Sequence, residues 1–272
     1  MNIIIFTNRD LASNINLNIL LPRISEHVSH VFVSDKVGGK NTNPPKELKE
    51  LKFFEQTLFN DIFFPQLDNQ NREFKGQYLT FNELSKKYNI LIQSLNEVKL
   101  TATLDFIRSL KPDLILSVRY GKIFGNDFIK IPRLGVINLH SGLLPQYRGV
   151  LATFRALMNG DSELGCTLHY IDDATIDTGG IIGFSNLKVD KTKSLFWHIM
   201  NLYPASLDIL TSTIDKILLQ GTKQPLETHS QIGDENAQYF TFPTHEEVAE
   251  FKEKGWSFME VGEYEEILRK YL

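Results

Sequence analysis

The stretch Val136–Gly183, VINLHSGLLPQYRGVLATFRALMNGDSELGCTLHYIDDATIDTGGIIG, decides the architecture of this chain. It continues an apolar strand, predicted over 134–139, whose end carries Asn138 and His140 two residues apart. Side chains at that spacing point to the same face of an extended backbone. A loop rich in Gly and Pro, a helix and a second strand over 165–171 follow, and this second strand runs into an acid-rich turn. Because open α/β sheets bind ligands beyond the carboxyl ends of their strands, the stretch predicts a polar site there.

The composition is that of an ordinary globular protein, with 272 residues of which 42% are hydrophobic and 23% charged. The net charge of -4 lacks the basic surface that nucleic-acid binding needs, so we expect no nucleic-acid partner. The single cysteine, Cys166, excludes an internal disulfide framework and favours a cytoplasmic location. No basic leader precedes the first strand and no apolar run reaches about 20 residues, so we expect no signal peptide and no membrane partner.

Short apolar runs alternate with amphipathic patterns along most of the chain. The predicted strands cover 2–6, 31–33, 90–92, 114–118, 134–139 and 165–171. Strands that alternate with helices predict an α/β protein with a Rossmann-like, doubly wound and mainly parallel sheet. One long helix, predicted over 194–219, closes the main domain, and Thr80 with Glu83 predicts a capping box at the start of a shorter helix.

The composition of the sequence changes after residue 220, where a short aromatic run and a glutamate-rich tail replace the alternating strands and helices. We therefore predict a main domain over 1–220 and a small C-terminal appendage of strands and short helices over 221–272. The aromatic strand predicted over 238–243 packs on another subunit, over a ligand, or on its own domain. A polar, turn-rich segment over 36–45 predicts a surface loop.

Most motifs that carry chemistry are missing. The sequence has no HExxH, CxxC or paired His/Cys spacing, so we predict no metal, and it has no P-loop and no GxSxG elbow. The loop after the first strand is not GxGxxG, although Arg9 in that loop could reach a phosphate or could be a solvated arginine. What remains is Asn138, His140 and an aspartate from 172–177, three polar groups that converge on the ligand edge of the sheet.

Three motifs in this region resemble those of the folate-dependent formyltransferases. They are Asn138–Leu139–His140, the loop LLPQYRG over 143–149, and Asp177–Thr178–Gly179. The resemblance implies that residues 1–220 form a catalytic domain whose co-substrate is N10-formyltetrahydrofolate and which uses no metal. It also implies the catalytic residues Asn138, His140 and Asp177.

Formyl transfer to an amine suggests a role for each catalytic residue. Asn138 would donate an N–H to the developing oxyanion. His140 would act either as the base that takes the amine proton or, protonated, as a second oxyanion partner. Asp177 would orient the imidazole or relay a proton through water. By resemblance, the co-substrate contacts are Tyr120, Gly121, Lys122, Ile123, Asp172 and Asp173 for the pterin, and Gly142, Leu143, Leu144 and Pro145 for the formyl-donor channel.

The ends of the chain resemble the sugar N-formyltransferases within that family. The resemblance rests on IIIFTNRDLASNINLNILLP at the start, SDKVG over 34–38 and YFTFP over 239–243. It implies transfer to a nucleotide-linked amino deoxysugar, with dTDP-4-amino-4,6-dideoxyglucose as the expected acceptor, for O-antigen lipopolysaccharide biosynthesis. It also implies a homodimer formed through the appendage. The expected acceptor contacts are Arg9, Arg148, Tyr239, Phe240 and Phe242.

Alternatives remain open at this point. Arg148 could be a structural arginine that holds its loop, and the aromatic residues of the tail could belong to a dimer core. The protein could instead formylate methionyl-tRNA or another amine, or it could be a non-catalytic protein that binds folate or a sugar nucleotide. The tail over 233–272 carries ten acidic residues against four Lys/Arg, which disfavours RNA.

Overall fold

The computed structural model describes residues 1–35, 43–70, 72, 74–220, 226–231, 233 and 235–272. Most of the surface loop predicted over 36–45 lies outside these residues. The strands are β1 (Ile3–Asn8), β2 (Val28–Ser34), β3 (Leu91–Ser94), β4 (Leu114–Val118), β5 (Val136–His140), β6 (Arg148–Gly149), β7 (Glu163–Tyr170), β8 (Ile181–Lys188) and β9 (Tyr239–Phe240). The helices are α1 (Leu11–Ile24), α2 (Lys46–Lys52), α3 (Phe64–Asp68), α4 (Phe81–Tyr88), α5 (Thr101–Ser109), α6 (Asn126–Ile129), α7 (Ala152–Asn159), α8 (Leu195–Leu202), α9 (Leu207–Leu219), α10 (His245–Glu253) and α11 (Val261–Tyr271), and a π-helix over Phe53–Phe63 joins α2 to α3.

The main sheet has seven strands in the order β3-β2-β1-β4-β5-β7-β8. All pairs from β3 to β5 are parallel, whereas β7 runs antiparallel to both β5 and β8. The order reverses on either side of β1, as it does in doubly wound sheets, where ligands bind beyond the carboxyl ends of the strands. The predicted fold class, an α/β protein with a mainly parallel sheet, is confirmed.

The structure differs from the prediction at two elements. The strand over Ile181–Lys188 was not predicted, because it lies at the edge of the sheet and exposes alternate residues instead of forming an apolar run. The single helix predicted over 194–219 is two helices, α8 and α9, separated by a 3-10 turn at Pro204–Ser206. Proline lacks a backbone N–H and its ring crowds the preceding turn, which favours a break in the α-helix at Pro204. The predicted capping box is present, since Thr80 and Glu83 each accept a hydrogen bond from the other's backbone N–H.

The two faces of the sheet bury separate apolar clusters. The smaller cluster contains Phe6, Phe124 and Phe128, and α5 and α6 contribute to it. The larger cluster lies on the opposite face and contains α1, α8 and α9 residues together with Cys166, which is fully buried in β7. Burial on both faces explains why the central strands read as continuous apolar runs in the sequence.

The C-terminal tail packs on the larger cluster. Phe251 and Tyr271 are fully buried within it. The Phe251 ring stacks on Phe154 of α7 with 4.6 Å between the ring centroids. Earlier in the tail, β9 pairs in parallel with β6, which lies in the loop that follows His140. The tail is therefore attached both to the core and to the loop beside the predicted site.

Phe251→Ala should lower the free energy of unfolding by about 3–5 kcal/mol, because it removes a fully buried aromatic side chain and leaves a cavity. Val261→Ala, in the same tail but 66% exposed, is the matched control and should change stability by less than about 0.5 kcal/mol. Urea denaturation of both variants measures the difference. A loss of less than about 1 kcal/mol for Phe251→Ala would show that the tail does not share the core.

Candidate active site

Two predicted catalytic side chains leave the carboxyl end of β5 together. Asn138 lies opposite Ser117 of β4 and opposite His169 of β7, so polar residues of three neighbouring strands meet at this level of the sheet. His140 is the last residue of β5, and its side chain is only 8% exposed. As the two-residue spacing predicts, the side chains of Asn138 and His140 lie on one face of β5, at the carboxyl edge of the sheet.

The imidazole of His140 is fixed by a hydrogen bond on one ring nitrogen and faces a carboxylate on the other. Its Nε2 lies 2.6 Å from the carbonyl oxygen of Tyr147, and because a carbonyl only accepts, Nε2 carries a proton. Its Nδ1 lies 3.5 Å from Oδ2 of Asp177. Nδ1 is therefore the ring atom at which His140 gains or loses a proton.

His169 is a component of the site that sequence reasoning missed. Its Nδ1 donates to the carbonyl oxygen of Tyr170 at 2.8 Å, which leaves Nε2 to accept from Nδ2 of Asn138 at 3.1 Å. The same Nε2 lies 3.6 Å from Oδ1 of Asp177. A histidine inside the otherwise apolar strand β7 was the available signal. The bond to His169 uses one N–H of the Asn138 carboxamide and leaves the second for a ligand.

Asp177 joins these groups through a buried carboxylate. Its side chain is 11% exposed and accepts a hydrogen bond from the backbone N–H of Gly149 at 2.9 Å. Burial alone would raise the pKa of this carboxyl, but the positive charge of protonated His140, the contact with His169 and the backbone N–H of Gly149 outweigh it and lower the pKa to about 2. The backbone of Asp177 has φ of 54°, a left-handed conformation that turns the carboxylate back toward β5.

The three predicted catalytic residues line one cavity of about 950 Å³. Its wall also contains Tyr120, Gly121, Lys122, Ile123, Asp172 and Asp173, all of which were predicted to contact the co-substrate. The loops that follow β4 and β7 hold them in place. The hydroxyl of Tyr120 donates to the carbonyl of Leu95 at 2.6 Å, and Oδ2 of Asp172 accepts from the N–H of Gly180 at 2.9 Å. The volume is within the range of small-molecule sites.

The middle of the chain is similar in sequence to known proteins. Residues 74–196 match the formyl transferase family model. The bifunctional polymyxin resistance protein ArnA of Wigglesworthia glossinidia brevipalpis is 42% identical over 118 residues, which are 42% of this chain and 17% of that protein. The methionyl-tRNA formyltransferase of Fusobacterium nucleatum subsp. nucleatum is 37% identical over 155 residues, which are 57% of this chain and 50% of that protein. The chain thus spans about half the length of the methionyl-tRNA formyltransferases it matches.

Solved structures share the fold at low sequence identity. Glycinamide ribonucleotide transformylase 1 from Symbiobacterium toebii superposes with a TM-score of 0.58 at 16% identity, over 86% of this chain and 94% of that one. A sugar N-formyltransferase from Shewanella sp. FDAARGOS_354 gives 0.54 at 15% identity, over 92% and 87%. The N-formyltransferase from Helicobacter canadensis, in complex with folinic acid and dTDP-3-aminofucose, gives 0.53 at 17% identity, over 88% and 71%.

The predicted formyl-donor channel has a different position from the pterin contacts. Gly142, Leu143, Leu144 and Pro145 are not among the described residues that line the large cavity. Instead, the hydroxyl of Thr167 donates to the carbonyl of Gly142 at 2.6 Å and accepts from the N–H of Leu144 at 3.0 Å. A Cβ on Gly142 would lie 2.7 Å from Ala152. In this structure, the segment packs behind His140 and positions the Tyr147 carbonyl that holds its ring.

The predicted acceptor contacts divide into two groups. Tyr239 and Phe242 line the large cavity, whereas Arg9, Arg148 and Phe240 are not among its described wall residues. Arg9 contacts Asp35 at 3.4 Å and Ser94 at 3.2 Å. Arg148 donates to Gln231 at 2.9 Å, which agrees with its alternative role as a structural arginine. The Phe240 ring lies between Tyr147 and Arg155.

The described ranges contain neither a metal-binding group of acidic, His or Cys side chains nor a helix that could span a membrane. No group of three or more His, Cys, Asp or Glu side chains in these ranges is arranged to hold a metal ion. None of the helices within them is long and apolar enough to cross a membrane.

Asp177→Asn should flatten the dependence of stability on pH. The folded pKa of Asp177 is lowered from 3.8 to about 2, so its contribution is complete above about pH 4 and is lost as the pH falls toward 2. Between about pH 6 and pH 3 the wild type should lose about 1 kcal/mol more free energy of unfolding than Asp177→Asn.

Urea denaturation at the two pH values measures this difference. Asp215→Asn replaces an exposed aspartate of α9 and should follow the wild-type profile. Parallel pH profiles for the wild type and Asp177→Asn would contradict the assigned contacts of the carboxylate.

Proposed function

We propose that this protein is a formyltransferase that moves a formyl group from N10-formyltetrahydrofolate to an amine. The observation that carries the proposal is the convergence of Asn138, His140 and Asp177 on one wall of a cavity that the two loops predicted for the pterin also line. The match of residues 74–196 to the formyl transferase family supports it. A protein that only binds folate has no need of a carboxamide, an imidazole and a carboxylate that converge on one cavity.

The chemistry required is acyl transfer. A neutral amine attacks the formyl carbon, negative charge develops on the formyl oxygen, and a proton leaves the attacking nitrogen. The bond from the formyl carbon to N10 then breaks, and N10 takes up one proton as tetrahydrofolate leaves. Asn138 is suited to the oxyanion because His169 orients its carboxamide and leaves one N–H unused. A donor that is already oriented requires no reorganisation when the charge develops.

His140 and Asp177 provide the path for the proton. Asp177, with its pKa lowered to about 2, is an anion at neutral pH and faces Nδ1 of His140. Because Nε2 of His140 is held by Tyr147, the proton from the amine reaches the ring at Nδ1. The imidazolium that results is stabilised by the carboxylate 3.5 Å away.

The co-substrate fits the loops that flank these residues. The wall near Tyr120 includes Val98, Phe124 and Ile171, an apolar surface suited to a flat ring system. Asp172 and Asp173 are held by hydrogen bonds within their own loop, so the backbone of that loop is fixed where a pterin would meet it. The formyl group is what the bound co-substrate supplies, and the chain supplies orientation, oxyanion binding and proton transfer.

For the acceptor we propose the amine of a nucleotide-linked amino deoxysugar, specifically dTDP-4-amino-4,6-dideoxyglucose in O-antigen synthesis. The fold is shared with N-formyltransferases that include one in complex with dTDP-3-aminofucose. Tyr239 and Phe242 line the cavity, where they are suited to stack on a nucleotide base. We also propose a cytoplasmic location and a homodimer formed through residues 221–272.

A second acceptor, methionyl-tRNA, has one observation in its favour. Proteins similar in sequence to this chain include methionyl-tRNA formyltransferases that are 37% identical over 155 residues and 34% identical over 143 residues. Charge argues against it, because the net charge is -4 and the tail over 233–272 has ten acidic residues against four Lys/Arg. An RNA-binding surface needs cations to neutralise phosphates.

A formyl-transfer assay with N10-formyltetrahydrofolate tests the acceptor. The panel is dTDP-4-amino, dTDP-3-amino, GDP-4-amino and UDP-4-amino sugars, with methionyl-tRNA as the competing substrate. We expect formylation of a dTDP-4-amino sugar and none of the tRNA. Activity on tRNA alone would overturn the sugar acceptor, and inactivity on every amine, with folinic acid still bound, would support a binding protein.

Asn138→Ala should lower kcat by about 10²–10³-fold because it removes the oxyanion donor. His140→Ala should lower kcat by about 10²–10⁴-fold because it removes the proton acceptor. His245→Ala, at the exposed start of α10, is the matched control and should retain wild-type kcat. Thermal unfolding and folinic acid binding should be near wild type in all three variants. Wild-type turnover in Asn138→Ala or His140→Ala would refute the site.

A further inference from the structure

A buried ionic cluster forms another part of the cavity wall, and the mechanism above does not use it. The guanidinium of Arg119 donates to Oδ2 of Asp10 at 2.9 Å and to Oε2 of Glu55 at 3.4 Å. The three side chains are 14%, 0% and 12% exposed. Arg119 and Glu55 line the same cavity as His140. Two buried acids therefore share one buried base beside the candidate active site.

Asp10 has no capacity left for a ligand. Its carboxylate caps α1 by accepting from the N–H of Ser13 at 2.7 Å, and it also accepts from Asn8 at 2.8 Å and from two nitrogens of Arg119. Arg119 follows β4 with φ of 61°, a left-handed conformation that is uncommon for a residue with a side chain. Strained backbone of this kind is concentrated at functional sites.

Glu55, in contrast, is only partly satisfied. Its Oε1 is buried and has no hydrogen-bond partner among the described residues. Burial raises the pKa of Glu55 to about 7; Arg119 opposes this increase, and the charge of Asp10 adds to it. Glu55 lies in the π-helix, a conformation that is rare and is often found at functional sites. A buried carboxylate oxygen without a partner is costly unless a proton or a ligand meets it.

The cluster and the pterin loop lie on opposite faces of the sheet. Tyr120 packs on the smaller apolar cluster, whereas Arg119 lies 5.3 Å from the ring of Tyr203, which belongs to the larger one. The last pair in the register of β4 and β5 is Val118 with Leu139, and Arg119 and His140 are the residues that follow them in the chain. A pterin on the Tyr120 loop thus leaves the wall formed by Glu55 and Arg119 to the second substrate.

We propose that Glu55, held by Arg119, receives the acceptor amine and takes up the proton that its ammonium form must lose before it attacks. The inference rests on the proposed function, because it assigns the acceptor half of the same cavity. Alkyl amines are largely protonated at neutral pH. One proton passes from R–NH3⁺ to the Glu55 carboxylate and then to solvent. The freed lone pair of R–NH2 forms the bond to the formyl carbon, and the bond from that carbon to N10 of the co-substrate breaks. The second amine proton passes to His140 and replaces the formyl group on N10, so that tetrahydrofolate leaves.

The charges around Glu55 suit this role. Arg119 after β4 and Asp10 at the start of α1 face it, and Tyr203 at the end of α8 contacts Arg119. Lys52 of the preceding helix also lines the cavity. The cluster has two acids, Asp10 and Glu55, but only one base, Arg119, which is already paired with Asp10. An ammonium group beside Glu55 would supply the second positive charge.

The test is the pH dependence of kcat/KM for the acceptor in the wild type, Glu55→Gln and Glu55→Asp. At about pH 6.5 we expect Glu55→Gln to lose about 100-fold in kcat/KM. At about pH 9 the loss should be smaller, because a larger fraction of the amine is then neutral in solution. Glu55→Asp should retain the wild-type shape of the profile at a reduced rate.

The controls separate recognition of the amine from support of the fold. Glu50→Gln, on α2 with a 55% exposed side chain, makes the same chemical change on the same helical segment and should leave the profile unchanged. Folinic acid binding and thermal unfolding of Glu55→Gln should be close to those of the wild type. Glu55→Gln within twofold of wild type at about pH 6.5, or an equal loss at every pH, would overturn the inference.

The failure of this inference differs from the failure of the proposed function. If the wild type transfers formyl groups to an amine and Glu55→Gln does so equally well, only the role of Glu55 is wrong. If the wild type transfers formyl groups to no amine at all, the proposed function itself fails.

Discussion

The rest of the site depends on the contacts of one buried group, the carboxylate of Asp177. It lies within 3.6 Å of one nitrogen each of His140 and His169 and accepts the N–H of Gly149. An unpaired carboxylate at this depth would be strongly destabilising, so each of these contacts offsets part of its desolvation. The result is a fixed anion at neutral pH that faces both imidazoles. Asn138 is linked to this carboxylate through His169, which faces Asp177 and accepts an N–H of the Asn138 carboxamide.

Gly149 connects this carboxylate to the C-terminal tail. Its N–H donates to Asp177, and its backbone pairs with Phe240 of β9. The close approach requires glycine, since φ is 96° and a Cβ would lie 2.2 Å from the Phe240 carbonyl oxygen. The tail is also anchored at Phe251 in the larger core. The position of Asp177 is thus linked through Gly149 to segments more than 60 residues further along the chain. Arg148 and Phe240 take part in this packing and are not among the described residues that line the cavity.

The sequence predicted what depends on local pattern. Buried parallel strands read as apolar runs, Thr80 with Glu83 marked a helix start, and the two-residue spacing of Asn138 and His140 placed both on one face. Elements with a weaker local pattern were missed: β8 is a half-exposed edge strand, and α8 and α9 share one apolar pattern across the break at Pro204. The pairing of Arg148 with Gln231, and of Arg119 with Asp10 and Glu55, depends on contacts between distant segments. No spacing in the sequence encodes contacts of that kind.

The cluster of Asp10, Arg119 and Glu55 is difficult to explain by stability alone. Replacing buried ionic groups with apolar side chains of similar volume is often neutral or stabilising. Asp10 and Arg119 satisfy each other, and Asp10 also caps α1. Glu55 adds a second negative charge and a buried oxygen that has no partner among the described residues. Its contact with Arg119, at 3.4 Å, is also the longer of the two ion pairs. A group that costs stability and lines the cavity beside His140 is best explained by a ligand that completes its charge balance, and a cationic amine does so.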